Sequence, residues 1–247
     1  LFVQPLQSVL GWSRGEIMVG FTIFFIMMGV ASLPAGRLVD RRGARPVIAL
    51  GAVIMGLGFV ILSLMSQLYL FYLGYVLVGA GAGGIGSVPC SAVVSNWFKK
   101  KRGTAIGLMS SGIGAGGLVM APLAGYLIEV VGWRSAYFSM ALIVWIAIIP
   151  LALLTLRTRP EEMGLHPDGA TVAEPPREIR PGTSEGLTLR QAIGVSAFWL
   201  LAVSYFFANF SSMGGIQSQG PNLTDLGFST GAEAVALSAI GFGSGTG

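Results

Sequence analysis

The chain has 247 residues, of which 53% are hydrophobic and only 11% are charged, and its formal net charge is +4. A soluble domain carries roughly one quarter charged residues, so this composition excludes an ordinary soluble protein and indicates an integral membrane protein. The basic residues stand in groups between long apolar runs. We therefore expect a lipid bilayer as partner and no nucleic acid, because the groups are typical of loops on one membrane side.

Apolar stretches of about 20 residues, the length of one membrane crossing, follow one another along the chain. They predict an all-helical membrane protein with six full spans and an incomplete span at each end. Pro34 is expected to end the first full span, and Ser66 and Gln67 to separate the second from the third. The full spans are predicted at 16–35, 47–64, 69–95, 104–128, 135–156 and 192–217, with partial spans at 1–10 and from 230 onward.

Residues 157–190 differ from the rest because they collect charges and five prolines. Such a segment is typical of a linker. We expect it to join a six-helix half, 1–156, to the beginning of a second half, 191–247. The repeat of Leu-Gly-Trp-Ser at 10–13 as Leu-Gly-Phe-Ser at 226–229 supports two related halves. With no initial methionine and an apolar run at its end, the chain is expected to be a fragment.

The basic residues predict which side of the membrane each loop occupies. Of the fifteen Lys and Arg residues, all except Arg14 and Arg134 follow the second, fourth or sixth span when the incomplete span 1–10 is counted as first. Because basic loops stay in the cytoplasm, these loops and the linker are expected there. We expect a multi-pass protein of the cell (plasma) membrane.

A dense charged motif occupies residues 36–45, Gly-Arg-Leu-Val-Asp-Arg-Arg-Gly-Ala-Arg, and is expected to form a turn between two spans. It matches the pattern G-x-L-x-D-R-x-G-x-[RK] and resembles the signature loop of the major facilitator superfamily of transporters. A basic membrane-surface loop is the alternative. The expected gating residues are Gly36, Arg37, Asp40, Arg41, Arg42, Gly43 and Arg45.

This resemblance implies a helical bundle of twelve spans, of which seven to eight are present, and secondary transport by alternating access. It also implies that Asp40 contacts a helix terminus and that the neighbouring arginines latch the cytoplasmic side. A carboxylate at a helix N-terminus is stabilised by about 0.3 to 2 kcal/mol. Such an energy is large enough to bias two conformations of similar stability.

A second motif, at residues 97–107, is similar to the fifth-helix signature of monocarboxylate transporters and oxalate/formate exchangers. It departs from that signature at Trp97, where tyrosine is usual, and at Thr104, where leucine is usual. The similarity implies a small organic anion, a mono- or dicarboxylate, as substrate and a coupling proton or counter-anion. A generic basic loop is the alternative. The basic residues of this second loop are Lys99, Lys100, Lys101 and Arg102.

Two glycine runs, 79–84 and 112–117, fit the dinucleotide-binding pattern G-x-G-x-x-G. That site needs a preceding strand and a later acidic residue, whereas both runs lie inside apolar spans. Small residues four apart instead predict close contact between helices.

No charged residue lies at mid-depth of a complete span, so the expected substrate pathway is lined by neutral polar residues. The resemblance places the fourth and seventh helices at the cavity, which favours Tyr75, Tyr205 and Asn209, whereas each serine could equally bond to a neighbouring helix. We find no catalytic or metal-binding motif and expect no enzyme activity, cofactor or metal. Another solute, or a membrane sensor of the same fold, stays open as an alternative. The pathway candidates are Tyr75, Ser110, Ser111, Tyr205 and Asn209.

Overall fold

A computed structural model of the chain describes residues 2–169, 191, 193–208 and 211. Within these residues the regular elements are all helical, which confirms the predicted fold class. Four helical stretches are long and apolar enough to cross a membrane: 14–42, 44–64, 68–97 and 102–154. The helices are α1 (Val3–Leu10), α2 (Arg14–Arg42), α3 (Ala44–Leu64), α4 (Leu68–Ile85), α5 (Ser87–Trp97), α6 (Arg102–Ile143), α7 (Ile149–Leu154) and α8 (Ser196–Ala208), with a π turn at Val144–Ile148.

The corner between α1 and α2 shows why the Leu-Gly-Trp-Ser sequence precedes a span. Gly11 ends α1 in a left-handed conformation with φ 69°. Ser13 then caps α2 through a capping box, in which its Oγ accepts from the Glu16 backbone N–H and Glu16 accepts from the Ser13 N–H. Both bonds satisfy backbone donors that a helix start leaves without partners. The second copy of this sequence, at 226–229, lies outside the described residues.

The prediction that Pro34 ends the second span was wrong. Helix α2 continues through Pro34 to Arg42, so the charged residues 36–42 form its last turns rather than a turn between spans. A proline removes only one backbone donor, and helices in a membrane tolerate this loss where neighbouring groups satisfy the freed carbonyl. The chain reverses at Gly43 alone, whose φ of 83° and ψ of 166° suit only glycine.

The fourth span is divided at Gly86 instead of running unbroken to residue 95. Pro89 explains the break, because it has no N–H to donate to the carbonyl of Ile85. The Cys90 thiol donates to that carbonyl instead, at 3.4 Å. The Cys90 backbone N–H donates to Gly86 at 3.3 Å.

The fifth and sixth spans are separated by a single residue. Gly132 has φ 79° and ψ 160°, nearly the backbone conformation of Gly43, and it interrupts α6. The 53-residue stretch 102–154 is far longer than one crossing at about 1.5 Å per residue. Contacts of Arg134 with Met65 and of Arg45 with Leu156 show that the chain turns back at Gly132. The expectation of two spans here is therefore confirmed.

Glycines in α4 allow its backbone to lie close to two other helices. A Cβ added at Gly79 would lie 2.5 Å from the carbonyl oxygen of Phe24 in α2. One added at Gly81 would lie 2.5 Å from the carbonyl oxygen of Gly51 in α3. The packing interpretation of the first glycine run is thus confirmed. In the described part of the chain, a Cβ at Gly112 in the second run meets nothing within 4 Å.

Candidate functional site

The basic residues of three separate loops meet at one end of the helix bundle. This basic end comprises the last turns of α2 with Gly43 and Arg45, the 99–102 turn, and the segment 155–168 that follows α7. Arg37, Arg41 and Arg42 are exposed there, as is Asp40. Arg45 is half-buried, and its Nε donates to the carbonyl oxygen of Leu156.

The Gly43 corner is fixed from outside by Thr158. The Thr158 hydroxyl, on a residue that is only 7% exposed, accepts a 2.8 Å hydrogen bond from the backbone N–H of Ala44. A Cβ built on Gly43 would lie 2.8 Å from the same hydroxyl oxygen. Glycine is therefore required here twice, by the backbone conformation and by the contact with Thr158.

Asp40 occupies an unfavourable place in its own helix. It is exposed in the last turn of α2, where the partial negative charge of the helix C-terminus repels a carboxylate. Arg41 and Arg42 in the same turn have the sign that the helix end favours. The local structure thus accounts for the arginines of the signature motif and leaves the aspartate without a local reason.

The second basic loop is held by a carboxylate. Asp168 Oδ2 accepts hydrogen bonds from the backbone N–H groups of Lys100 and Lys99, at 2.8 and 3.0 Å. These bonds, that of Lys100 first, hold the pKa of Asp168 below its usual value, while partial burial opposes the shift. Lys99, Lys101 and Arg102 have exposed side chains around this contact.

A polar cavity of about 320 Å³ lies between the end of α5 and the segment after α7. Its charged lining residues are Lys99, Arg159 and Glu161. The side chain of Asn96, also in the lining, donates to the carbonyl oxygen of Thr158 at 3.1 Å. The cavity is therefore charged, and two of its lining residues, Asn96 and Lys99, also bond to the segment after α7.

Among the described residues, the two basic side chains outside these groups, Arg14 and Arg134, lie at the opposite end. Arg134 follows the Gly132 corner, and its Nη2 donates to the carbonyl oxygen of Met65 at 3.1 Å. Its guanidinium carbon lies 4.2 Å from the centroid of the Trp133 ring. Arg14 begins α2 at this same end. For the basic residues that the structure describes, the grouping expected from the sequence is thus a grouping in space.

The predicted pathway residues occupy different environments. Tyr75 is 8% exposed and packs among Phe21 and Phe71, with ring centroids 5.4 and 4.7 Å away. Ser110 is exposed, and the Ser111 hydroxyl donates to Leu108 of its own helix at 2.7 Å. Tyr205 is 74% exposed on α8. Asn209 lies outside the described residues, and the other four candidates differ in burial and do not all lie on one helix.

A sequence model of the Major Facilitator Superfamily matches residues 1–247. The chain belongs to this superfamily. Proteins of this superfamily are multi-pass membrane transporters of small solutes and are generally not enzymes. The resemblance inferred from residues 36–45 is therefore confirmed.

Three relatives illustrate the range of this superfamily around the chain. An uncharacterized 38 kDa protein from a 23S RNA operon of Thermoproteus tenax is 33% identical, over 76% of this chain and 43% of its own length. Monocarboxylate transporter 11 of Mus musculus is 31% identical, over 71% of this chain and 38% of its own length. A probable hexose phosphate transport protein of Chlamydia pneumoniae is 27% identical, over 83% of this chain and 48% of its own length. The chain spans less than half the length of each.

Sequence reasoning missed the residues that tie the basic end of this facilitator together. The side chains of Thr158, Asn96 and Asp168 form hydrogen bonds with backbone groups of distant residues. No local sequence pattern predicts such bonds. A weaker signal was available in the segment Pro160–Met163. Proline at a helix start followed by acidic residues is typical of a short helix, and Gly164 ends it in a left-handed conformation.

Proposed function

We propose that the protein is a secondary transporter of a small organic anion, a mono- or dicarboxylate, and that it works by alternating access. The observation that carries the substrate class is the 97–107 motif, which resembles the monocarboxylate and oxalate/formate branch. The 31% identity to a monocarboxylate transporter supports the same class. Membership of the superfamily supports transport rather than catalysis.

The basic end faces the cytoplasm of the plasma membrane in this proposal. All fifteen Lys and Arg residues except Arg14 and Arg134 fall after the second, fourth and sixth spans, and cytoplasmic loops carry such an excess. Asp40 then lies on the cytoplasmic face of α2. Its unfavourable position in the last turn is offset when the carboxylate meets the N-terminus of a helix in the second half. That contact closes the cytoplasmic side, and breaking it opens the pathway.

The substrate pathway uses the neutral polar residues Tyr75, Ser110, Ser111, Tyr205 and Asn209. Burial makes Tyr75 the least accessible of them, whereas Ser110 and Tyr205 present their side chains outside the core of the described part. A coupling proton or a counter-anion completes the cycle. No step requires a cofactor.

Uptake into proteoliposomes tests this function. The full-length gene product is reconstituted, and initial rates are measured for labelled formate, lactate, oxalate and glucose 6-phosphate, with protein-free liposomes as control. Saturable uptake of a labelled carboxylate supports the proposal if unlabelled glucose 6-phosphate does not inhibit that uptake. Uptake of glucose 6-phosphate alone assigns the second candidate substrate, a hexose phosphate, which the chlamydial relative favours. Saturable binding of a carboxylate without uptake assigns a membrane sensor.

A further inference from the structure

All of the segment Leu156–Asp168 except Leu156 belongs to the predicted linker 157–190, yet the segment lies bonded across the basic end. It contains Thr158, which is almost completely buried, and Pro160, which is fully buried. The Trp97 indole donates to the carbonyl oxygen of Arg157 at 2.9 Å, at the end of α5. We call residues 156–168 the clasp segment.

The clasp segment forms hydrogen bonds with both basic loops, the signature motif and the 99–102 turn. Near its start, the Thr158 hydroxyl accepts from Ala44, one residue beyond the Gly43 corner. At its end, Asp168 accepts from Lys99 and Lys100. Asp168 has φ 59°, a left-handed conformation that aspartate adopts more readily than most residues. The segment thus bridges two turns that are far apart in the sequence.

Charge explains why the two loops need a bridge. The signature motif and the 99–102 turn are both strongly basic, so they repel each other where they share one end of the bundle. The clasp segment carries the acidic residues Glu161, Glu162 and Asp168. Because Arg157 and Arg159 nearly balance these charges, the segment contributes mainly hydrogen-bond acceptors, at Thr158 and Asp168.

We propose that Thr158 and Asp168 are positioning residues, which fasten the Gly43 corner and the Lys99–Lys100 turn to one segment so that both loops move as one body. This inference rests on the proposed transport function, since alternating access needs each half to move as a unit. Loss of the Asp168 hydrogen bonds to Lys99 and Lys100 is then expected to weaken the Thr158 hydrogen bond to Ala44 as well. Independent contacts would not be linked in this way.

Hydrogen exchange in the full-length protein in lipid nanodiscs tests the linkage. Asp168→Gly removes the carboxylate and keeps the left-handed conformation accessible. We expect exchange to rise about fivefold, the factor that one ordinary hydrogen bond contributes, in the peptide with Lys99 and Lys100 and also in the peptide with Ala44. Glu161→Gln, an acidic residue of the same segment, is the matched control and leaves both peptides unchanged.

A second pair of variants probes the other fastening. Thr158→Ala is expected to raise exchange at Ala44 and also at Lys99 and Lys100, and Thr158→Ser, which keeps the hydroxyl acceptor, restores both. If each variant changes only its own peptide, or neither, the clasp is overturned. Linked exchange in a protein that moves none of the offered solutes would sustain the clasp and reject the transport function, because exchange is measured without flux.

Discussion

The indole ring of Trp145 lies directly against Gly56, and its Nε1 donates to the carbonyl oxygen of Val53 at 3.4 Å. A Cβ at Gly56 would overlap that nitrogen and the neighbouring ring carbons. The contact joins α3 to the π turn that precedes α7.

Gly56→Ala should therefore destabilise the protein by about 1–3 kcal/mol, because a methyl group added to a filled site displaces the ring. The measurement is the free energy of unfolding in a detergent titration. Gly29→Ala is the matched control, since its Cβ meets nothing within 4 Å in the described part of α2. Equal losses for both variants would show that the indole moves aside without cost.

Gly43 and Gly132 share one backbone conformation, and they form a matched pair. Gly43→Ala and Gly132→Ala should each cost about 1–3 kcal/mol in unfolding free energy, because that conformation is open only to glycine. Gly43→Ala should cost more, since its Cβ also meets Thr158. The excess should shrink in a Thr158→Ala background. If Gly43→Ala still costs more unfolding free energy than Gly132→Ala in the Thr158→Ala background, the contact with the Thr158 hydroxyl is not the cause of the difference.

Asp40→Asn should slow transport about two- to thirtyfold, the range that a carboxylate at a helix N-terminus provides. Insertion should be unaffected, because Asp40 is exposed and makes no contact that holds α2 in place in the described structure. Initial uptake rates are compared at equal amounts of inserted protein. Unchanged uptake would show that Asp40 does not form the contact that closes the cytoplasmic side.

The Asp168 contact should be insensitive to pH across the physiological range. Its carboxyl pKa is lowered on folding, so its contribution is complete above the ordinary value of about 3.9 and is lost only as the pH falls below it. We expect the difference in Lys100 exchange protection between the parent protein and Asp168→Asn to be constant from pH 8 to pH 5. At pH 3 that difference should narrow. Its disappearance between pH 8 and pH 5 would contradict the lowered pKa.

Asn209→Ala should raise the half-saturation concentration for the carboxylate, because an amide in a membrane span is expected to line the pathway. The substrate curve is measured with Ser139→Ala as control, because the Ser139 hydroxyl bonds within its own helix and is not a pathway candidate. An unaltered curve would make Asn209 a packing residue.

Long apolar runs between basic groups were enough to predict the spans described within residues 14–154, the helical fold class and the grouping of the described basic loops, because a bilayer imposes length and hydropathy on every crossing. The corners were predicted less well. Pro34 reads as a helix end although α2 passes through it, and Gly86 reads as a helix interior although the chain breaks there.

The contacts at the basic end depend on tertiary structure and were not predictable. Ala44 and Thr158 are separated by 114 positions, and nothing in either local sequence points to the other. The motif around Asp40 was recognisable as a pattern, whereas the role of Asp168 emerges only from the backbone groups that it meets.

Entrance counterflow distinguishes carriage of a carboxylate by alternating access from binding without transport. Proteoliposomes containing the full-length protein are loaded with unlabelled oxalate or lactate and diluted into a trace of the labelled compound. We predict that the label accumulates transiently above its equilibrium level, because a carrier exchanges internal for external substrate. A label that only approaches equilibrium, at the rate seen in protein-free liposomes, would show that the protein does not carry the carboxylate.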